Sequence, residues 1–105
     1  MGVVTYTRKK REERRTEILQ AAVELAQVHG YSRITRNQVA HRVNISSGLI
    51  RNYFPTLGAL RSAVMAEAVR VGNAVIVLQG LSVKDPAAES APKSLKEKAL
   101  ETVTL

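Results

Sequence analysis

Cysteine is absent from the 105 residues, which excludes disulfides and thiolate metal sites. Histidine is nearly so: His29 and His41 are twelve residues apart, not at the spacing with which one helix face holds a metal. No glycine-rich loop is laid out to cradle a phosphate, and no carboxylate pair falls within a pocket-forming pattern. An enzyme is therefore not expected, nor a cofactor or a metal. Long apolar runs are missing too. Nothing reaches membrane-spanning length, and MGVVTYTRKKREERR lacks the apolar core of a signal peptide. The expectation is a cytoplasmic protein with no membrane partner. A chain of this length can build one small helical core with extensions, marginal as a monomer, and oligomerisation would relieve that.

Charge is present and uneven. The net charge is +7, and residues 1–61 carry all of it, with eleven Lys and Arg against four Glu. Residues 62–105 balance five against five. Such asymmetry points to a polyanionic partner reached through one face. Within the basic half, Arg8, Lys9, Lys10 and Arg11 form a run that reads as an arm able to lie along phosphates or enter a minor groove. Glu12 and Glu13 partly offset it, so a merely solvated leader competes with that reading.

The most informative stretch is Thr35 to Leu60, TRNQVAHRVNISSGLIRNYFPTLGAL. Val39, Ala40 and Val43 recur at three- and four-residue intervals, the signature of one apolar helical face. Asn44 tolerates the left-handed conformation that closes a helix, Ile45 can plug the gap between two helices, and Ser46 is a good N-cap. A second helix from about Ser47 to Tyr53 turns Ile50 and Phe54 inward and leaves Ser47, Leu49, Arg51, Asn52 and Tyr53 wholly or partly outward. Pro55 ends it. Two short helices joined by a tight turn, the second polar and arginine-bearing, present side chains in the manner of a DNA major-groove reader.

The flanks fit a small all-α domain. A first helix is expected from about Arg11 to His29, with Ile18, Ala22, Leu25 and Ala26 inward and Gly30 as its stop. Tyr31 and Ile34 pack beneath the two short helices, and Thr35 caps the first of them. After Pro55, Thr56 caps a longer helix in which Leu60, Val64, Ala68, Val71 and Val75 repeat. From Val71 to Leu78 the chain is apolar on most sides and rich in β-branched residues, so helix and strand compete, and Gly72 weakens the helix. Val71, Val75, Ile76 and Leu78 are taken as a dimer interface; the other reading is that the C-terminal tail covers them within one monomer. Gly80 to Pro92 reads as linker, and Ser94-Leu95-Lys96-Glu97 has capping-box spacing ahead of a short helix to Thr102. The organisation expected is a basic arm over 1–13, a helix-turn-helix domain with its fourth helix over 14–79, and a linker with a short helix over 80–105.

Ile18-Leu19-Gln20-Ala21-Ala22, Gly30-Tyr31, Thr35-Arg36, Val39-Ala40, Val43-Asn44-Ile45-Ser46, Gly48, Tyr53-Phe54 and Leu60 stand in the order and spacing of one known pattern. Over residues 14–68 the chain resembles the DNA-binding domain of the tetracycline-repressor (TetR) family. The resemblance implies a three-helix domain with a longer helix 4, docked on double-stranded DNA. The family usually has Gly at Asn44, Tyr at Arg51, and Lys-Glu at Leu57-Gly58, and the Tyr and Lys are usually backbone-contacting. Arg36 and Arg51 then either replace those contacts or read bases. Ser47 and Tyr53 resemble family positions that touch the sugar-phosphate backbone.

The DNA-binding residues expected are Thr35, Arg36, Asn37, Ser46, Ser47, Gly48, Leu49, Arg51, Asn52 and Tyr53. Thr35, Arg36 and Asn37 begin a helix, where free N–H groups, the helix dipole and a guanidinium hold a phosphate. Gly48 permits close approach to the duplex. Arg51 suits guanine, Asn52 adenine and Leu49 a thymine methyl. One helix in one groove binds modestly, so a homodimer on an inverted repeat is expected. Relatives carry a large ligand-binding domain after helix 4, whereas only about 37 residues follow Ala68 here. The expectation is a repressor without a small-molecule inducer, autoregulatory and suited to a plasmid or phage. The competing readings are a partition or replication accessory protein and a protein-interaction module.

Overall fold

The computed structural model describes the backbone of residues 2–104 and the side chains of residues 10–102. Among the described residues the chain is helical throughout: α1 (Gly2–His29), α2 (Arg36–Val43), α3 (Ser47–Tyr53), α4 (Leu57–Val71), α5 (Ala74–Ser82), α6 (Pro86–Glu89) and α7 (Lys93–Thr104). No helix among them is long and apolar enough to cross a membrane.

The first helix starts at Gly2, not near Arg11. Between Val3 and His29 there is neither Gly nor Pro, so nothing in the basic segment interrupts the backbone ladder. The expected arm is thus an extension of α1. Ile18, Ala22, Leu25 and Ala26 are buried as their spacing predicts, and Gly30, at φ 99°, turns the chain out of the helix. Across the inward face of α1 lie α2 and α4, and α3 packs against α2. Ile34, Val39, Ile50 and Leu60 meet in this core with no exposed surface. Each such burial stabilises the fold by about 1.5–3 kcal/mol.

Helix 4 stops before Val75. Gly72 takes a left-handed conformation, with Asn73 N–H donating to the Ala68 carbonyl at 2.8 Å and Gly72 N–H to Val69 at 3.3 Å. This is the pairing with which a Schellman motif satisfies the last carbonyls of a helix. Asn73 then caps α5, its Oδ1 accepting from Ile76 N–H at 3.2 Å. The apolar segment that could have been strand is therefore a second helix folded back across α4.

Folding back also corrects the expected interface. Ile76 and Val77 are fully buried beneath α7, together with Leu95 and Ala99. Ile76 is a core residue of the single chain. Val71 and Val75 remain exposed, and Leu78 is half-buried. The segment read as linker is ordered as well. Asp85 Oδ1 accepts from Ala87 and Ala88 N–H at 2.9 and 3.4 Å, Pro86 opens the one-turn helix α6, and Ala88 is buried. At the next helix the start is Lys93, so Ser94 lies within the first turn of α7 and does not cap it.

Three side chains join this C-terminal half to the turn after α1. Gln79 accepts from Tyr31 N–H at 2.9 Å and donates to the Ala26 carbonyl at 3.1 Å. The Tyr31 hydroxyl donates to Asp85 Oδ2 at 3.0 Å. Burial first, then this hydrogen bond and the carboxylate charge, push the Tyr31 phenol up to about 12, with Arg61 acting weakly the other way. Asn73 Nδ2 adds a bond to Gln27 Oε1 at 3.3 Å.

Candidate nucleic-acid interface

Helix 2 is held at both ends by its own sequence. Thr35 Oγ1 accepts from Gln38 N–H at 3.2 Å while Gln38 Oε1 accepts from Thr35 N–H at 3.0 Å, a reciprocal capping box. Thr35 was expected as the cap; Gln38 was missed, although Thr35-x-x-Gln38 is the spacing that announces it. At the other end Asn44 is left-handed, at φ 64° and ψ 48°, and Ile45 N–H donates to the Ala40 carbonyl at 3.0 Å. Arg42 reaches Glu24 of α1 at 2.9 Å, so this arginine is committed within the protein.

The turn sets the pose of α3. Ser46 Oγ accepts from Leu49 N–H at 3.1 Å, and Ile50 and Phe54 go into the core. Arg15 of α1 places its guanidinium 4.8 Å from the Phe54 ring centroid. Phe54 lies in the β region that a following proline requires, ending the helix at Tyr53. Thr56 then caps α4 through Ala59 N–H at 2.9 Å.

With Ile50 inward, Ser46, Ser47, Gly48, Arg51 and Asn52 are exposed, and Leu49 and Tyr53 are half-buried at the edge of the same face. Thr35 and Asn37 are exposed at the start of α2, and Arg36 is half-buried there with its Nε enclosed and unpaired. The N–H groups of Arg36 and Asn37 meet no acceptor among the described residues. Arg11, exposed on α1, shares a groove with Leu49, Asn52 and Tyr53, so the helical extension runs beside α3. Lys10 lines an adjoining groove with Arg11 and Tyr53. The side chains of Arg8 and Lys9 lie outside the described residues.

Pairing separates the arginines into two groups. Arg14, Arg42 and Arg70 face Glu17, Glu24 and Glu67, and Arg61 donates to the Ile34 carbonyl at 3.0 Å. Arg11, Arg33, Arg36 and Arg51 have no such acceptor among the described residues. Arg61 had no signal in the sequence, because its bond to Ile34 spans 27 residues.

Gly48 is the telling position. Its backbone is not left-handed, and a Cβ added there would meet nothing nearer than Ser46 Oγ at 3.9 Å. The fold does not require glycine here, although glycine weakens a helix.

Residues 18–64 match the family model of bacterial regulatory proteins, tetR family. The chain carries a TetR-family N-terminal DNA-binding domain. Comparison with curated proteins and with solved structures gave no match. The matched span runs from Ile18 on the inward face of α1 to Val64 in the middle of α4, so it contains the whole helix-turn-helix and the core beneath it. The TetR-type domain makes this a DNA-binding transcription regulator, and the uncommitted arginines and exposed α3 face lie within or beside that span. Helices α5 to α7 fall outside it.

Proposed function

We propose that the protein is a transcriptional repressor that binds a specific double-stranded sequence as a homodimer on an inverted repeat. The observation carrying this reading is the outward face of α3, where Arg51 and Asn52 are exposed, Arg51 without an ion pair among the described residues, beside a glycine the fold does not need. Arg51 and Asn52 are assigned to base edges, with Leu49 toward a thymine methyl. Thr35, Arg36, Asn37, Ser46, Ser47 and Tyr53 are assigned to the backbone, where contacts set register without carrying sequence information. Arg11 and Lys10 add charge along the same side.

A two-fold pair of such helices reads half-sites about 34 Å apart or a multiple of it. Val71 and Val75, exposed where α4 meets α5, are the apolar residues assigned to the dimer contact. Regulation is assigned to protein concentration, with the protein's own promoter as a target. The C-terminal helices support this, because Ile76, Val77, Ala88, Leu95 and Ala99 are buried in a packed core in which α5 and α6 lie on α4 and α7 lies on α5.

Footprinting on DNA upstream of the protein's own gene, at two salt concentrations, tests the reading. A symmetric footprint is expected. If a dimer neutralises on the order of eight phosphates, log K falls against log salt with a slope near −7. Binding that ignores salt, or protection without two-fold symmetry, would sink the proposal.

A further inference from the structure

The segment that leads into α2 is fixed from outside by side chains far away in sequence. From α4, Arg61 Nη2 donates to the Ile34 carbonyl at 3.0 Å, one residue before the cap Thr35. From the corner between α5 and α6, Asp85 Oδ2 accepts from the Tyr31 hydroxyl at 3.0 Å, while its other oxygen caps α6. Gln79 takes the Tyr31 N–H at 2.9 Å. Tyr31 is buried, and Arg61 lies near enough for its charge to act on the phenol. Between the two clamped ends, Ser32 and Arg33 are exposed. The height at which α2 begins is thus set by α4 and by the α5–α6 corner.

Resting on the assignment of Thr35 and Arg36 to phosphate, we propose that Asp85, Tyr31 and Arg61 are positioning residues for DNA binding. They hold the start of α2 where its free N–H groups and Arg36 meet the backbone, which makes the α5–α6 corner part of the DNA-binding machinery. A hydrogen bond weakens steeply as its geometry is lost. A shift of about 1 Å at the helix start is enough to remove such a contact. Core burial of Ile34, Val39 and Leu60 keeps the domain folded meanwhile.

The test is a double-mutant cycle on the full chain, read by salt titration of binding to a mixed-sequence duplex of about thirty base pairs. Wild type, Arg36→Ala, Tyr31→Phe and the double variant are compared, each with its thermal unfolding curve. Arg36→Ala is expected to reduce the salt slope by about one. Tyr31→Phe is expected to weaken binding about fivefold and to reduce the slope similarly. The double variant then loses less binding than the two single losses added together, since both act on the contact that Arg36 makes. Should Tyr31→Phe not fold, Arg61→Met, which removes the donor to Ile34, takes its place in the cycle. If the first variant lowers only the melting temperature, or the losses add, the positioning role is wrong while the phosphate assignment stands. If Arg36→Ala leaves the slope unchanged, the assignment fails and takes the proposal with it.

Discussion

Glycine in a helix is a cost unless something needs its bareness, and Gly48 has no such need inside the domain. With nothing nearer than 3.9 Å to an added Cβ, Gly48→Ala is compatible with the fold. It also reduces the freedom of the unfolded chain. The expected outcome is unchanged or slightly raised stability, by up to about 1 kcal/mol, with weaker DNA binding. Thermal unfolding and a binding titration on the same preparation check it. A variant that binds as well as wild type would show that close approach at this position is unnecessary. Arg51 is separable from it, because its side chain is exposed and forms no ion pair among the described residues.

At the level of elements, the contrast is between Gly48 and Gly80. A Cβ on Gly80 of α5 would lie 2.6 Å from the Ala88 Cβ of α6 and 2.6 Å from the Met65 Cε of α4. Met65 can swing aside, but the Ala88 methyl is carried by a backbone whose Asp85 cap fixes it. Gly80→Ala is therefore expected to cost about 1–3 kcal/mol by overpacking. Urea unfolding measures it, and a neutral result would mean that α6 is free to move.

The same contrast explains what could be read from sequence. Thr35, Asn44, Ser46 and Thr56 act on backbone within a few residues of themselves, so the helix-turn-helix was legible from spacing and caps. The outward set on α3 followed once Ile50 and Phe54 were placed inward. In the C-terminal half the short helix toward Thr102 was legible and its packing was not, because that packing comes from contacts across long separations. Ile76 is core only because α7 returns over it, and Asp85, which caps α6 locally, gains its second role only because Tyr31 lies opposite. Val71 to Leu78 carries strand-like residues, yet Gly72 and Asn73 supply a helix stop and a helix start that override them.

Across the whole molecule, Tyr31 and Asp85 join the DNA-binding half to the C-terminal half, and the raised Tyr31 phenol converts that tie into a pH dependence. The folded value is about 12 against an ordinary 10, so the folded state retains its proton when the unfolded state has released it. The stability from this group is fully present below pH 10 and is lost as pH rises through 12, by about 2–3 kcal/mol in all. Tyr31→Phe removes the titration and also the hydrogen bond, whose net worth is about 1 kcal/mol. Wild type is thus the more stable at pH 8. Its advantage shrinks above pH 10 and reverses before pH 12, because the phenylalanine variant has no proton there to lose. Urea midpoints of the two chains between pH 8 and 11.5 measure it, and a difference that stays constant over that range would mean that burial and Asp85 together do not hold the Tyr31 proton.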